Sequence, residues 1–263
     1  MLSCAALAAA LAQAQPPQTL TLKPGSACER LVVPHVYPRT VTVVAEGASV
    51  AGLVIPGGNL VWRGGTIRAT QVSKGPPGYG VFIRGGQRVT IEEATVTDAQ
   101  KGIVMTAGAD EVTVRNVRFT GTLGDGINAA AGRIQVTGCT FDFARREDGY
   151  HQDAVQWFGE QVRGPIELSD NVVKGAMQGF GGLGKRPEGV PVRIVNNRIE
   201  TSAPRAISVK RERGEVTGNM IGGVGGTYLA NIFMGPEIRA CGNVAVDFTA
   251  ARRPAPQWAQ PCR

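Results

Sequence analysis

His151, Asp153 and Gln156 stand in the pattern H-x-D-x-x-Q, within the stretch His151-Gln152-Asp153-Ala154-Val155-Gln156-Trp157. A neutral imidazole can take a proton near neutral pH, and a carboxylate beside it can orient the ring. Such a pair suits proton abstraction next to a carbonyl. β-Elimination at a uronate needs that base at C5 and a cation on the sugar carboxylate. Arg205, Lys210, Arg145 and Arg146 are the cations within reach of His151. Hydrolysis needs two carboxylates flanking the scissile bond. Asp125 and Asp153 are the available pair, one repeat apart. Both aspartates could instead cap turns, with His151 merely bonding its own loop. The other histidine, His35, sits among prolines and reads as a surface or capping residue. No C-x-x-C or Cys/His cluster is present, so no metal ligand set is read and a structural zinc site is not expected. P-loop, Rossmann and Ser-His-Asp arrangements have no support.

These residues need a scaffold, and an internal repeat supplies it. Segments of one type recur: LVWRGGTI, VTIEEATV, VTVRNVRF, IQVTGCTF, IELSDNVV, RIVNNRI, EVTGNMI and RACGNVAV. They align on Gly65, Ala94, Val117, Cys139, Asn171, Asn197, Asn219 and Asn243, in steps of 22 to 32 residues. A second family lies between them, centred on Val81, Ile103, Ile127, Val155, Phe180, Ile207 and Ile232. Short alternating strands, β-branched residues and glycine punctuation exclude helical repeats. Leucine-rich repeats share the period, but their L-x-x-L-x-L pattern is missing. A parallel β-helix remains, in which stacking buries what no single rung can bury. The four asparagines share one register and should form a ladder.

The stacked V-x-I/V-x-x-N-x-I/F strands, the asparagine ladder and the D-G-I segment at Asp125–Ile127 resemble the pectin-lyase-like superfamily of right-handed β-helix proteins. The resemblance runs from about Val41 to Asn243. It implies an all-β, single-stranded right-handed parallel β-helix of about eight rungs. It does not select one reaction, because that superfamily includes lyases, hydrolases, epimerases and phage tailspikes. The G-H-G motif of polygalacturonases, the W-x-D-H and R-x-P-x-x-R motifs of pectate lyases and the D-P-H motif of alginate epimerases are absent.

A packed coil binds ligands outside, on a sheet face or beside a long loop. The register sets Tyr79, Lys101, Asp125, Asp153, Gln178 and Arg205 in one column. It sets Phe82, Val104, Asn128, Gln156, Gly181, Ser208 and Phe233 in another, on the outer surface. The second column is apolar at both ends and polar in the middle, beside His151. Asp125, Asn128, Gln156, Trp157, Ser208, Arg145 and Arg146 are therefore the candidate substrate-binding residues, around His151, Asp153, Arg205 and Lys210. Two insertions, Ala69–Gly78 and Ala144–Tyr150, flank this face.

Residues 1–14 read as a leader ending in Ala12-Gln13-Ala14, a small-x-small cleavage pattern. A secreted or periplasmic protein is expected, with a cap segment at 15–40, the coil at 41–248 and a tail at 249–263. Cleavage would remove Cys4 and leave four cysteines, of which Cys241 and Cys262 would tie down the tail and Cys139 would be a buried thiol. The formal charge of +7 suits an acidic polymer as partner. An acidic polysaccharide or other glycan is the expected partner; neither nucleic acid nor membrane insertion is. No cofactor is implied and calcium stays open, as do oligomeric state and substrate. The function read from these features is cleavage of an acidic polysaccharide, elimination ahead of hydrolysis. The alternative is a non-catalytic glycan-binding or structural surface β-helix.

Overall fold

The structure is a computed structural model. It describes residues 1–15, 17–33, 37–69, 78–143, 151–158, 161–176, 178–183, 189–201, 205–223, 231–246 and 261–262. Three parallel sheets wind into one coil. The first two sheets have ten strands each and the third has nine. Each strand pairs with its counterpart one coil away, as Glu92 pairs with Arg63 on one side and Arg115 on the other. The eight recognisable repeats are preceded by two further coils, which begin with the strands Gln18–Thr21 and Val41–Val44. Regular pairing thus starts ahead of Val41, within the segment expected to serve only as a cap.

One local rule explains the asparagines and much of the glycine. The residue before each inward turn position has a left-handed backbone, with φ of 52° to 75°. Gly64, Gly138, Gly218 and Gly242 occupy it in four repeats, and Glu93, Asn116, Asp170 and Asn196 in the others. Glycine takes this conformation without steric cost, and Asn and Asp tolerate it best among the rest. The turn then aims the next side chain into the coil. Asn171, Asn197, Asn219 and Asn243 are buried there. Each of the first three donates its Nδ2 to the Oδ1 of the next at 2.9 Å. The same Oδ1 atoms accept the backbone N–H of the preceding asparagine. The ladder continues upward as Cys139, whose N–H donates to Asn171 Oδ1 at 2.9 Å. The Cys139 thiol is buried and free, and burial pushes it up to about 12.

The core is a stack of Val, Ile and Leu with a column of phenylalanines. Phe119 and Phe141 lie face to face with centroids 4.6 Å apart. Gly126 sits against this column, where a Cβ would come within 2.6 Å of the Phe141 ring.

A helix at Cys4–Gln13 closes the first coil. Ser3 caps it by accepting the Ala6 N–H. Leu7 and Leu11 are fully buried against the coil. The Tyr37 hydroxyl donates to the Leu11 carbonyl at 2.7 Å, and Cys4 is bonded to Cys28. Cys4, expected to leave with a leader, here pins a cap. A solenoid end needs such a cover, because its last rung otherwise exposes core and unpaired backbone. At the other end Cys241 is bonded to Cys262, as expected.

Candidate functional site

The third sheet positions the site. At the strands of the site two successive residues face inward at a corner, such as Ala154 and Val155, both fully buried. The residues flanking them, Asp153 and Gln156, then meet on the outside. The same arrangement one coil earlier joins Asp125 to Asn128. Asn128 Nδ2 donates to Asp125 Oδ2 at 2.9 Å, and Gln156 Nε2 donates to Asp153 Oδ2 at 2.6 Å. Asn128 Nδ2 also reaches Gln156 Oε1 at 3.3 Å, which links the two coils.

Asn128, Gln156 and Ser208 face outward yet are only 2%, 5% and 7% exposed. They form the polar floor of the strip, packed against one another and against Lys101. Tyr79 and Phe82 stand at one end in an edge-to-face pair. At the other end Arg205 and Lys210 lie over the Phe233 ring, at 5.8 and 5.6 Å from its centroid. From Tyr79 to Asn231 the strip crosses seven coils, roughly 29 Å at the usual strand spacing. Grooves of about 550 and about 350 Å³ lie over the other two sheets, away from this strip.

His151 lies on the rim and is 43% exposed. Its Nδ1 is 3.4 Å from Asp153 Oδ1, and its Nε2 is 2.9 Å from Gln178 Nε2. An amide N–H donated to Nε2 leaves the ring proton on Nδ1, facing Asp153. Asp153 Oδ1 is buried and has no hydrogen-bond partner. Burial, and then the Asp125 charge, push the Asp153 carboxyl up to about 7; Gln156, Lys101 and Arg205 oppose this. A carboxyl that titrates near neutrality beside an exposed imidazole is equipped to share a proton with it.

Asp125 differs. Its Oδ1 accepts the Asp153 N–H at 3.0 Å. Its Oδ2 accepts from Asn128 and from Lys101 Nζ at 3.3 Å. The capping role weighed for both aspartates therefore falls to Asp125 alone. Its engaged oxygens also disfavour a nucleophile and acid pair with Asp153. Asp125, His151 and Asp153 each offer a ligand atom within 4.8 Å of the others, the span of a cation site. The Lys101 ammonium already supplies positive charge on Asp125, so a calcium ion would have to compete with it.

Of the sequence candidates, the structure gathers Asp125, Asn128, His151, Asp153 and Gln156 into one network. Ser208 lies on the same floor, and Arg205 and Lys210 gather on Phe233. Trp157 does not line the ligand face. Its ring points into the coil, 1% exposed, and its indole N–H donates to buried Glu212 at 2.9 Å. The alternation in the strand requires this, because Gln156 faces out. Gly182 leaves room for it: a Cβ there would lie 2.4 Å from the indole nitrogen. Arg145, Arg146 and His35 lie outside the described residues. Lys101, Gln178 and Phe233 belong to the strip and were left off the candidate set. Their signal was register alone, since they share columns with Asp125, Asp153 and Gln156.

The three-sheet coil can be compared with known families. A family model described as the right handed beta helix region matches residues 45–186, just over half of the chain. The chain belongs to this right-handed β-helix family. Comparison with curated proteins and with solved structures returns no match. For a right-handed β-helix protein the fold supports a carbohydrate-active or surface role in general, and the particular chemistry must be argued from the strip. None of the described helices is long and apolar enough to cross a membrane.

Proposed function

We propose that this chain is an exported enzyme that cleaves an acidic polysaccharide by β-elimination at a uronate, with His151 as the base. One observation carries the reading: the buried, unpartnered Asp153 Oδ1 faces an exposed imidazole on a polar strip that crosses several coils. In the reaction the sugar displaces the Gln178 amide from Nε2. Nε2 takes the proton from C5, the electron pair forms the C4–C5 double bond, and the C4–O bond breaks. Water then protonates the leaving oxygen. The ionised Asp153 stabilises the imidazolium across the Nδ1–H contact. Arg205 and Lys210 offer charge to uronate carboxylates, while Phe233 offers a face to a sugar ring. Lys101 sets a positive charge 3.3 Å from Asp125 Oδ2. The Cys241–Cys262 disulfide, which cleavage of a leader would leave intact, suits an oxidising compartment and supports export.

The binding-only reading is favoured by the Gln178 amide on Nε2, which covers the base in the resting state. A panel of polyuronates separates the two. Elimination gives unsaturated products that absorb in the ultraviolet. Binding to a polyuronate without new absorbance or new chain ends would favour the second reading.

A further inference from the structure

The amide network between Lys101 and His151 has a direction, and the direction has a source. An amide side chain has one end that donates and one that accepts, so its partners decide which way it faces. Lys101 Nζ can only donate, and it stands 2.6 Å from Asn128 Oδ1. An ionised carboxylate can only accept, and Asp125 Oδ2 stands 2.9 Å from Asn128 Nδ2. The two charges hold Asn128 from both ends. Its Nδ2 presents the second N–H to Gln156, 3.3 Å away, which answers with Oε1. Gln156 is thereby left with Nε2 toward Asp153, and donates to Oδ2 at 2.6 Å. The next coil exerts no opposing pull, because Gly181 pairs with Gln156 there and has no side chain. Asn128 and Gln156 are 2% and 5% exposed, so water does not compensate a reversed amide. The result converges on one atom: Oδ2 is taken, and Oδ1 is left facing His151 Nδ1. Across the ring, Gln178 is only partly buried and can offer His151 Nε2 either end of its amide. The choice of tautomer is therefore made from the Asp153 side.

We propose that Asn128 is a positioning residue: it carries the polarity of the Lys101–Asp125 pair across the coils to Gln156, and so holds the His151 ring in its Nδ1–H form. This role rests on the reading of His151 as the base, since only that form leaves Nε2 open to a proton. Without the Asn128 donor, Gln156 is free to turn its carbonyl toward Asp153. Two facing oxygens repel, so the Asp153 carboxyl then takes a proton and donates it to Gln156 Oε1. A neutral carboxyl is a weaker acceptor than a carboxylate, and the Nδ1–H loses its anchor. The ring proton exchanges through water to Nε2, where it blocks the base.

Asn128→Leu removes the donor at nearly the same volume and alters no charge; Lys101, Asp125 and Arg205, the charges that bear on Asp153, stay in place. Asn128→Asp is made alongside, because it keeps the shape and the Lys101 bond but cannot donate. The chain has two histidines, so the ¹⁵N spectrum of the imidazoles reads the tautomer directly, with His151→Ala assigning the signals. It is recorded at about pH 8.5, where imidazoles are neutral. No substrate enters, so this readout stands whether or not a polyuronate is cleaved. The expected spectrum shows mainly Nδ1–H in the wild type and mainly Nε2–H in both folded variants. On a responsive polyuronate, kcat of Asn128→Leu should fall about tenfold, part of what a general base supplies. KM should hold, because the Asn128 side chain is buried beneath any sugar. In a Gln156→Leu background, Asn128→Leu should change neither spectrum nor kcat further, because its effect passes through Gln156. Nε2–H in the wild type, a wild-type spectrum in either folded variant, or additive effects in the double variant would overturn the proposal.

Discussion

Two columns of polar side chains run along this coil, and they differ in how completely they are satisfied. In the asparagine ladder one residue type repeats, and each amide spends its donors and acceptor on its neighbours. On the third sheet the types are mixed: Lys101, Asp125, Asp153, Gln178, Arg205. There a buried oxygen of Asp153 lacks a partner and an imidazole reaches solvent. A saturated, uniform column rigidifies a fold. A heterogeneous column with an unpaired buried acceptor costs stability and persists where chemistry uses it.

The comparison can be broken most forcefully in the ladder. Asn197→Ala removes a side chain that bonds Asn219, Leu168, Val195 and the Asn171 backbone. It leaves buried groups unpaired and should cost about 3 kcal/mol of stability, with turnover per folded molecule unchanged. Chemical denaturation and an activity assay on the soluble fraction check both halves. The terminal cap should matter next. Cys4→Ser opens the bond to Cys28 and should cost about 2 kcal/mol, again with turnover preserved. If secreted protein begins at Gln15 by mass spectrometry, Cys4 is absent and the substitution should have no effect.

Asp153→Asn should act in the opposite direction, and by less. The folded carboxyl titrates near 7 instead of 3.8, so folding favours its protonated form. Below about pH 4 both states are protonated and nothing is lost. As pH rises from about 4 to 7 the native state alone holds the proton, so stability falls and then levels off above 7. The amide variant escapes that loss. It should melt higher than wild type at pH 8 and close to it at pH 4, by 1–2 kcal/mol within a ceiling of about 4. Activity should rise through about pH 7 in wild type and lack that rise in the variant. A variant less stable than wild type at pH 8 would mean that Asp153 is structural, like the ladder.

Much of this contrast was readable beforehand. Register alone placed the asparagines in a stack, because a solenoid turns a repeat into a neighbour. It also placed Asp125, Asn128, Asp153 and Gln156 together. What it missed has local causes. Trp157 was set outside because it adjoins Gln156, although alternation sends it inward. Lys101 and Gln178 were passed over because a long side chain's partner depends on rotamer, which spacing does not encode. The Cys4–Cys28 bond had no signal in the sequence, because a short Ala- and Leu-rich segment suits a leader as well as a cap.

The central claim is that the unsaturated column is the reactive one, and His151→Ala tests it most directly. Turnover of the responsive polyuronate, read as product absorbance, should fall by about a hundredfold or more, the range for loss of a general base. The melting temperature should stay within a few degrees, because the ring lies on the rim. Full turnover in this variant, or a collapse of its fold, would contradict the account.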